Sequence, residues 1–191
     1  MHHGDNMSYL ELLIEAISNP SATDFHNLRM EYAGSEFYRP YSRDEDHARE
    51  LDSALSSGDW SSVVKAADLL LRDNYLDIEA HSAASIAFGE LGDQAKAEHH
   101  KIFYQGLIES ILSSGDGTGF HTAFVVTDVR EEFVVIEILG LTVLTQDLVM
   151  DIDNRQYDIY EFQDRRSGKS GRIFFNIDRP KCWLDSNAPS L

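Results

Sequence analysis

The chain contains 191 residues, 42% of them hydrophobic, and carries a formal net charge of −17. A chain of this length can bury roughly 70% of the surface that its unfolded form exposes, so it should fold without cross-links. Cys182 is the one cysteine, which excludes an internal disulfide. No apolar run approaches the roughly 20 residues of a membrane helix, and the start lacks a signal-peptide pattern. We therefore expect a soluble cytoplasmic protein, whose natural start is either Met1 or Met7.

The excess of acidic residues limits the partners that the protein can have. Its 33 acidic and 16 basic residues repel phosphate backbones and anionic lipids, so we expect neither a nucleic acid nor a membrane partner. Two interpretations of the charge remain open. It either only keeps the protein in solution, or it complements a basic protein partner and makes that association salt-sensitive.

The residues before Gly115 follow a helical period. Apolar residues between positions 9 and 17 recur at helical spacing and are followed by Asn19-Pro20, which ends a helix. The same pattern predicts helices over residues 24–33, 44–55, 60–71, 78–91 and 93–112, with an extended connection over residues 34–42.

A turn signal recurs within these helices. Gly58-Asp59 is followed 34 residues later by Gly92-Asp93, which is the period of a tetratricopeptide repeat. Such repeats of two antiparallel helices stack and usually present a surface to another protein. Trp60 follows the first turn directly, so we expect its ring to pack between neighbouring helices.

After Gly115 the period of the apolar residues changes from 3.6 toward 2, which indicates strands. We predict a hairpin of strands 122–129 and 132–139, then strands over 142–152, 156–163 and 172–177, and an irregular tail over 179–191. The predicted fold is a single α+β domain. Helices over about 8–114 would cover one face of an antiparallel meander of about five strands over about 120–178.

Histidines are the first candidates for a functional site. His81 and His100 are predicted to lie about one helical turn apart on neighbouring helices, whereas the adjacent His99 and His100 point about 100° apart and cannot readily share a metal ion. We interpret His81 and His100 mainly as satisfied core histidines and expect no bound metal and no cofactor. A role of His81 and His100 as metal ligands or as a general base is the alternative that stays open.

The glycine-rich junction and the carboxylates supply further candidates. Residues 114–119 are rich in glycine but precede a predicted strand, so they lack the features of a phosphate-binding loop. Asp116 and His121 lie close enough in sequence to meet across this junction. Glu131 and Glu132 sit at the predicted hairpin, where neighbouring side chains alternate faces and do not converge as an acid–base pair.

Short motifs spread over most of the chain resemble those of a known family. They are Leu28-Arg29-Met30-Glu31-Tyr32, Tyr38-Arg39-Pro40-Tyr41, Asn74-Tyr75, Ala80-His81, Gly92-Asp93, His100, Ser114-Gly115-Asp116-Gly117, Thr122-Ala123-Phe124-Val125-Val126, Glu131-Glu132-Phe133, Gly140-Leu141, Gln146, Tyr157-Asp158 and Phe175-Asn176-Ile177-Asp178. In these motifs the chain resembles the bacterial domain-of-unknown-function family 4919. The resemblance implies helices followed by strands, and it carries no established reaction.

Two classes of function follow. The first is a noncatalytic protein-interaction module that binds a protein partner, such as a basic toxin, with His81, Glu131, Glu132 and Gln146 as candidate binding residues. For these polar residues we favour a structural role, in which they hold the helices and strands together, over an active site. The alternative is a small hydrolase that uses His100, Asp116 and His121.

Overall fold

The computed structural model describes residues 7–187 of the chain, so the question of whether Met1 is the natural start lies outside the described residues. Eight α-helices and four strands are assigned within this range. The helices are α1 (Tyr9–Ser18), α2 (Phe25–Gly34), α3 (Glu45–Ser57), α4 (Trp60–Asp73), α5 (Ile78–Glu90), α6 (Gln94–Leu112), α7 (Val129–Ile138) and α8 (Asp178–Asn187). The strands are β1 (Phe124–Val125), β2 (Leu141–Met150), β3 (Gln156–Asp164) and β4 (Ser170–Asn176).

The chain divides into two compact units. One, the helical unit, comprises the residues up to Tyr38 together with Arg43–Leu107, and the other, the sheet unit, comprises Arg39–Ser42 together with the residues from Ile108 onward. The α+β class, with helices preceding strands, is confirmed. The expectation of a single domain with helices covering the sheet stays a prediction. No helix within residues 7–187 is long and apolar enough to cross a membrane.

Aspartates begin most helices of the helical unit. Asp24, Asp59 and Asp77 each accept a hydrogen bond from the backbone N–H three residues later, and Asp44 accepts from two such groups. These bonds satisfy donors that a helix start leaves unpaired, and the negative charge favours the positive end of the helix dipole. The predicted helices α2 to α6 are therefore confirmed to within two residues at their starts.

The two Gly-Asp turns have the same local structure. Gly58 and Gly92 have φ angles of 69° and 82°, a left-handed conformation that glycine adopts without the steric cost of a Cβ atom. Asp59 then accepts from the backbone N–H of Ser62, as Asp93 accepts from that of Lys96. The recurring motif is thus a recurring helix-end and helix-start signal, whereas its assignment to tetratricopeptide repeats stays a prediction.

Small residues allow the helices of this unit to pack closely. Ala80, Ala83, Ala84 and Ala87 of α5 are all buried in one core cluster with residues of α3 and α4. Trp60 is half-buried and packs against the same cluster, so its predicted position between helices is confirmed in part.

The sheet unit contains one four-stranded sheet with the strand order β1-β4-β3-β2. Strands β2, β3 and β4 pair antiparallel through two turns, in which Asn154 and Gly168 have φ angles of 61° and 70°. Strand β1 pairs parallel to β4, with Phe124 opposite Phe175. The prediction of about five strands in sequence order is therefore wrong, because the sheet has four strands and its first strand lies beside its last.

The predicted strand over residues 132–139 is also wrong, because residues 132–138 belong to helix α7, and Leu139 is its C-terminal cap. Its valines and isoleucines favour strands, but β propensity is weak and context decides. Asp128 accepts a hydrogen bond from the backbone N–H of Arg130, and Glu131 occupies the first turn, where negative charge stabilises a helix. Of the preceding predicted strand, 122–129, only β1 forms.

The tail up to residue 187 differs from its predicted irregular structure as well, and residues 188–191 of that prediction lie outside the described residues. Residues 178–187 form α8, and Pro180 lies in its first turn. A proline is tolerated there because the N–H group that it lacks would have no partner inside the helix. The ring of Trp183 in α8 lies 6.1 Å from that of Tyr41, which connects the segment Arg39–Ser42 to the sheet unit.

Strand β2 is an exposed edge. It is hydrogen-bonded on one side to β3, and eight of its ten residues are exposed. Leu144, Leu148 and Met150 are 55%, 59% and 58% exposed. A β-bulge falls at Leu144, between the register positions of Val143 and Thr145.

Candidate functional site

The structure brings the predicted residues His81 and His100 together inside the helical unit. Their Nδ1 atoms lie 2.9 Å apart, and Nε2 of His81 lies 2.8 Å from the backbone oxygen of Tyr75. His81 is completely buried, as expected of a core histidine, and its ring stacks on that of Phe103 at 4.7 Å. Burial lowers the pKa of His81 to about 3 and that of His100 to about 4, so both rings are neutral at physiological pH.

His100 also lines a cavity that the sequence did not predict. The cavity has a volume of about 720 Å³ and lies among helices α1, α2, α4, α5 and α6, with the residues after α2 contributing one wall. Its walls are mainly aromatic and aliphatic. The aromatic residues are Tyr9, Tyr32, Phe37, Tyr75 and Phe88.

Charged side chains also line this cavity. Arg72 forms an ion pair with Asp68 at 2.6 Å, and Nζ of Lys96 lies 4.9 Å from the centre of the Phe88 ring. Lys65 takes part in no ion pair within residues 7–187. The arrangement, apolar walls with a few polar groups, is typical of a binding cavity.

A second cluster lies in the sheet unit, around the candidate Glu132. This residue is 1% exposed, and its Oε2 accepts a hydrogen bond of 2.8 Å from the hydroxyl of Tyr160 on β3. Its Oε1 is buried and has no hydrogen-bond partner in the described part of the chain. Burial, together with the nearby charge of Asp158, raises the pKa of Glu132 to about 8. Glu132 is therefore mostly a neutral carboxylic acid at pH 7.

Asp158 connects Glu132 with the candidate Gln146. Burial raises the pKa of Asp158, and interactions with the side chains of Gln146 and Glu132 oppose that rise. Gln146 on β2 lies directly opposite Tyr160 in the sheet register, which places it beside this cluster. The predicted residues Glu132 and Gln146 therefore meet around Asp158.

The neighbouring acids Glu131 and Asp128 have structural contacts of their own. The Glu131 carboxylate accepts hydrogen bonds from the backbone N–H and the hydroxyl of Thr127, at 2.7 and 3.1 Å. Asp128 pairs with Arg130 at 2.5 Å, and burial raises the pKa of Asp128 to about 6. Both residues fix the start of α7, which supports a structural role.

Asp116 and His121 are not joined by a hydrogen bond or an ion pair within residues 7–187. Instead, Oδ1 of Asp116 accepts from the backbone N–H and the hydroxyl of Thr118, at 2.9 and 2.7 Å. Hydrogen bonds with Thr122 and Thr118 lower the pKa of Asp116. His121 is exposed on the short helix Phe120–Thr122. Both residues belong to the sheet unit, whereas His100 belongs to the helical unit.

Sequence reasoning missed Phe88, Asp158 and Tyr160 as site residues. The cavity is lined by side chains from five different helices, so the spacing of residues along one helix does not predict it. Asp158 and Tyr160 lie two residues apart on β3 and therefore on the same face, where Tyr160 contacts Glu132 of α7. Because the sequence predicted a strand in place of α7, it could not show this contact. Among residues 7–187, no group of three or more His, Cys, Asp or Glu side chains is arranged to hold a metal ion.

Comparison with known proteins gives a family and no function. Neither a curated protein nor a solved structure matches the chain. A family model described as a domain of unknown function (DUF4919) matches residues 2–184. Because this match covers nearly the whole chain, the protein belongs to the DUF4919 family.

Proposed function

We propose that this protein is a noncatalytic interaction module, and that the cavity of the helical unit binds an apolar anchor of a protein partner. The observation that carries the proposal is the cavity of about 720 Å³ with its aromatic walls. Anchor side chains that fill such pockets contribute most of the binding energy at protein interfaces.

The environment of the polar groups supports binding over catalysis. A hydrolase needs an acid, a base or a nucleophile within hydrogen-bond reach of a common substrate atom. In the helical unit the two neutral imidazoles of His81 and His100 face one another. The carboxylate of Asp116 is held by neighbouring threonines and not by a histidine. These contacts do not favour the alternative, a small hydrolase using His100, Asp116 and His121.

The charge supports a basic partner. A net charge of −17 attracts basic proteins over distances up to the Debye length and disfavours nucleic acids and anionic membranes. A basic cytoplasmic protein, of which a toxin is one example, is therefore the partner that we propose. Its association should weaken as salt increases, because the attraction between the two charged surfaces is screened.

Cys182 allows a direct test, because it is the single cysteine and is exposed. The chain can be attached to a support through this thiol and exposed to native cytosol at low and moderate salt. Val64→Trp places a large side chain at the cavity wall, and Ile86→Trp adds the same side chain on α5 at a position 51% exposed and outside the cavity lining.

We expect one basic protein to be retained by the wild type and by Ile86→Trp, less at moderate salt, and lost from Val64→Trp. Circular dichroism must first show that both variants are folded. Equal retention by a folded Val64→Trp variant would show that the partner does not use the cavity.

A further inference from the structure

The contact between His81 and His100 determines where the protons of both rings lie. The backbone oxygen of Tyr75 can only accept a hydrogen bond, so Nε2 of His81, at 2.8 Å, must carry a proton and donate it. Because the ring is neutral, Nδ1 of His81 has a free lone pair. Nδ1 of His100, at 2.9 Å, must then donate to it.

This proton arrangement leaves one acceptor on His100. A neutral imidazole carries a single N–H group, so Nε2 of His100 has a lone pair. Within residues 7–187 this atom makes no hydrogen bond. The ring of His100 stacks on Phe88 with centroids 5.6 Å apart, and both side chains line the cavity. The inner nitrogen is occupied by His81, so Nε2 is the ring nitrogen available to a ligand.

We infer that Nε2 of His100 is a hydrogen-bond acceptor of the cavity beside the aromatic ring of Phe88, and that the cavity selects an aromatic side chain carrying a neutral donor, such as the indole N–H of tryptophan. This inference rests on the proposed function and specifies the anchor that the cavity receives.

Three other polar groups of the cavity already have partners. The Tyr75 hydroxyl is 3.1 Å from Nε2 of His99, and Arg72 is paired with Asp68. The aromatic walls offer ring faces on which an indole can pack, and an apolar side chain without a donor would leave the lone pair of His100 unsatisfied. A buried acceptor without a partner weakens binding, whereas a matched donor restores it.

The first test concerns the proton positions and needs no ligand. Long-range ¹H–¹⁵N correlation spectra of the ¹⁵N-labelled protein distinguish the two neutral forms of each histidine, with the signals assigned through His81 and His100 variants. We expect His81 to be protonated on Nε2 and His100 on Nδ1. A His100 ring protonated on Nε2 would overturn the inference, because that nitrogen would then be a donor.

The second test compares two probes that differ by one methyl group, N-acetyl-L-tryptophanamide and its 1-methylindole analogue. We expect the methylated probe to bind about threefold to tenfold more weakly, the range that one lost neutral hydrogen bond produces. In His100→Phe, which keeps a ring beside Phe88, this difference should disappear, and in the exposed control His121→Phe it should persist.

The outcomes separate the inference from the proposed function. Equal affinity of the wild type for both probes would overturn the inference and leave an apolar binding cavity in place. No perturbation of cavity resonances by either probe would overturn both. Because the wild-type comparison stands alone, the test remains decisive even if His100→Phe does not fold.

Discussion

The buried carboxyl of Glu132 should make the stability of the protein depend on pH in a direction opposite to that of most acidic residues. Its folded-state pKa is about 8 against an ordinary value of 4.5, so the folded protein holds this proton more tightly than the unfolded chain does. The stabilisation is therefore fully present below about pH 4.5 and is lost as the pH rises toward 8. Glu132→Gln, which keeps a neutral side chain of the same shape, should remove this dependence.

The magnitude follows from the pKa rise. A pKa shift of one unit corresponds to about 1.4 kcal/mol, so a rise of the Glu132 pKa from 4.5 to about 8 corresponds to about 5 kcal/mol in total. Between pH 5 and pH 9 the wild type should lose about 4 kcal/mol of unfolding free energy through this group. That loss is a large part of the roughly 5 to 15 kcal/mol that stabilises a typical domain.

Urea unfolding followed by circular dichroism at pH 5, 7 and 9 measures this dependence. The free energy of unfolding of Glu132→Gln should exceed that of the wild type by a margin that grows with pH. Glu161→Gln serves as the control, because Glu161 is an exposed glutamate on the same strand as Tyr160, and its curve should parallel the wild type. A margin that stays constant from pH 5 to pH 9 would refute the assignment of a raised pKa to Glu132.

Four further substitutions test the packing of the helical unit and the association of the exposed strand β2. Trp60→Ala should lower the free energy of unfolding by about 2 to 3 kcal/mol in the urea assay. This loss is smaller than the roughly 3 to 5 kcal/mol of a fully buried aromatic residue, because Trp60 is half-buried. An unchanged midpoint would contradict the packing of Trp60 on the core. Gly106→Ala should destabilise the protein, because the added Cβ atom would overlap the ring of Phe25. Gly89→Ala has open space around it and should stabilise the protein by up to about 1 kcal/mol. A change of the unfolding free energy in the same direction for both variants would contradict the close approach at Gly106. Leu148→Lys should lower concentration-dependent light scattering, because a charge on an exposed edge strand prevents edge-to-edge pairing. Unchanged scattering would count against association of the protein through β2.

The sequence predicted those elements whose ends have local chemical signals. Asp44 and Asp77 begin their helices by accepting backbone hydrogen bonds, and Gly58 ends α3 with a left-handed residue. Helix α7 has such a signal too, in Asp128, but its valines and isoleucines are shared by strands and buried helices. The strand order could not be predicted from local sequence, because the pairing of β1 with β4 joins residues far apart in the chain.

The candidate site was predictable in part. Helical spacing placed His81 near His100, and the structure puts their nitrogens at hydrogen-bond distance. The contact between Glu132 and Tyr160 joins residues of α7 and β3 that are far apart in the chain, so no local spacing encodes it. The cavity walls likewise come from two groups of helices, α1–α2 and α4–α6, and helix α3 lies between these groups in the sequence.

The parallel pairing of β1 with β4 has a consequence for how the sheet unit folds. The hairpins β2–β3 and β3–β4 join neighbouring segments and can form early, whereas β1 must wait until a loop of about 50 residues has closed. A strand of two residues forms few hydrogen bonds, so its pairing offsets little of the entropy lost on closing that loop. The β1–β4 pairing should therefore be the last part of the sheet to form, and among the paired strands its hydrogen-bonded amides should exchange first. The unit then opens from the side of Phe124 while the β2–β3–β4 ribbon persists.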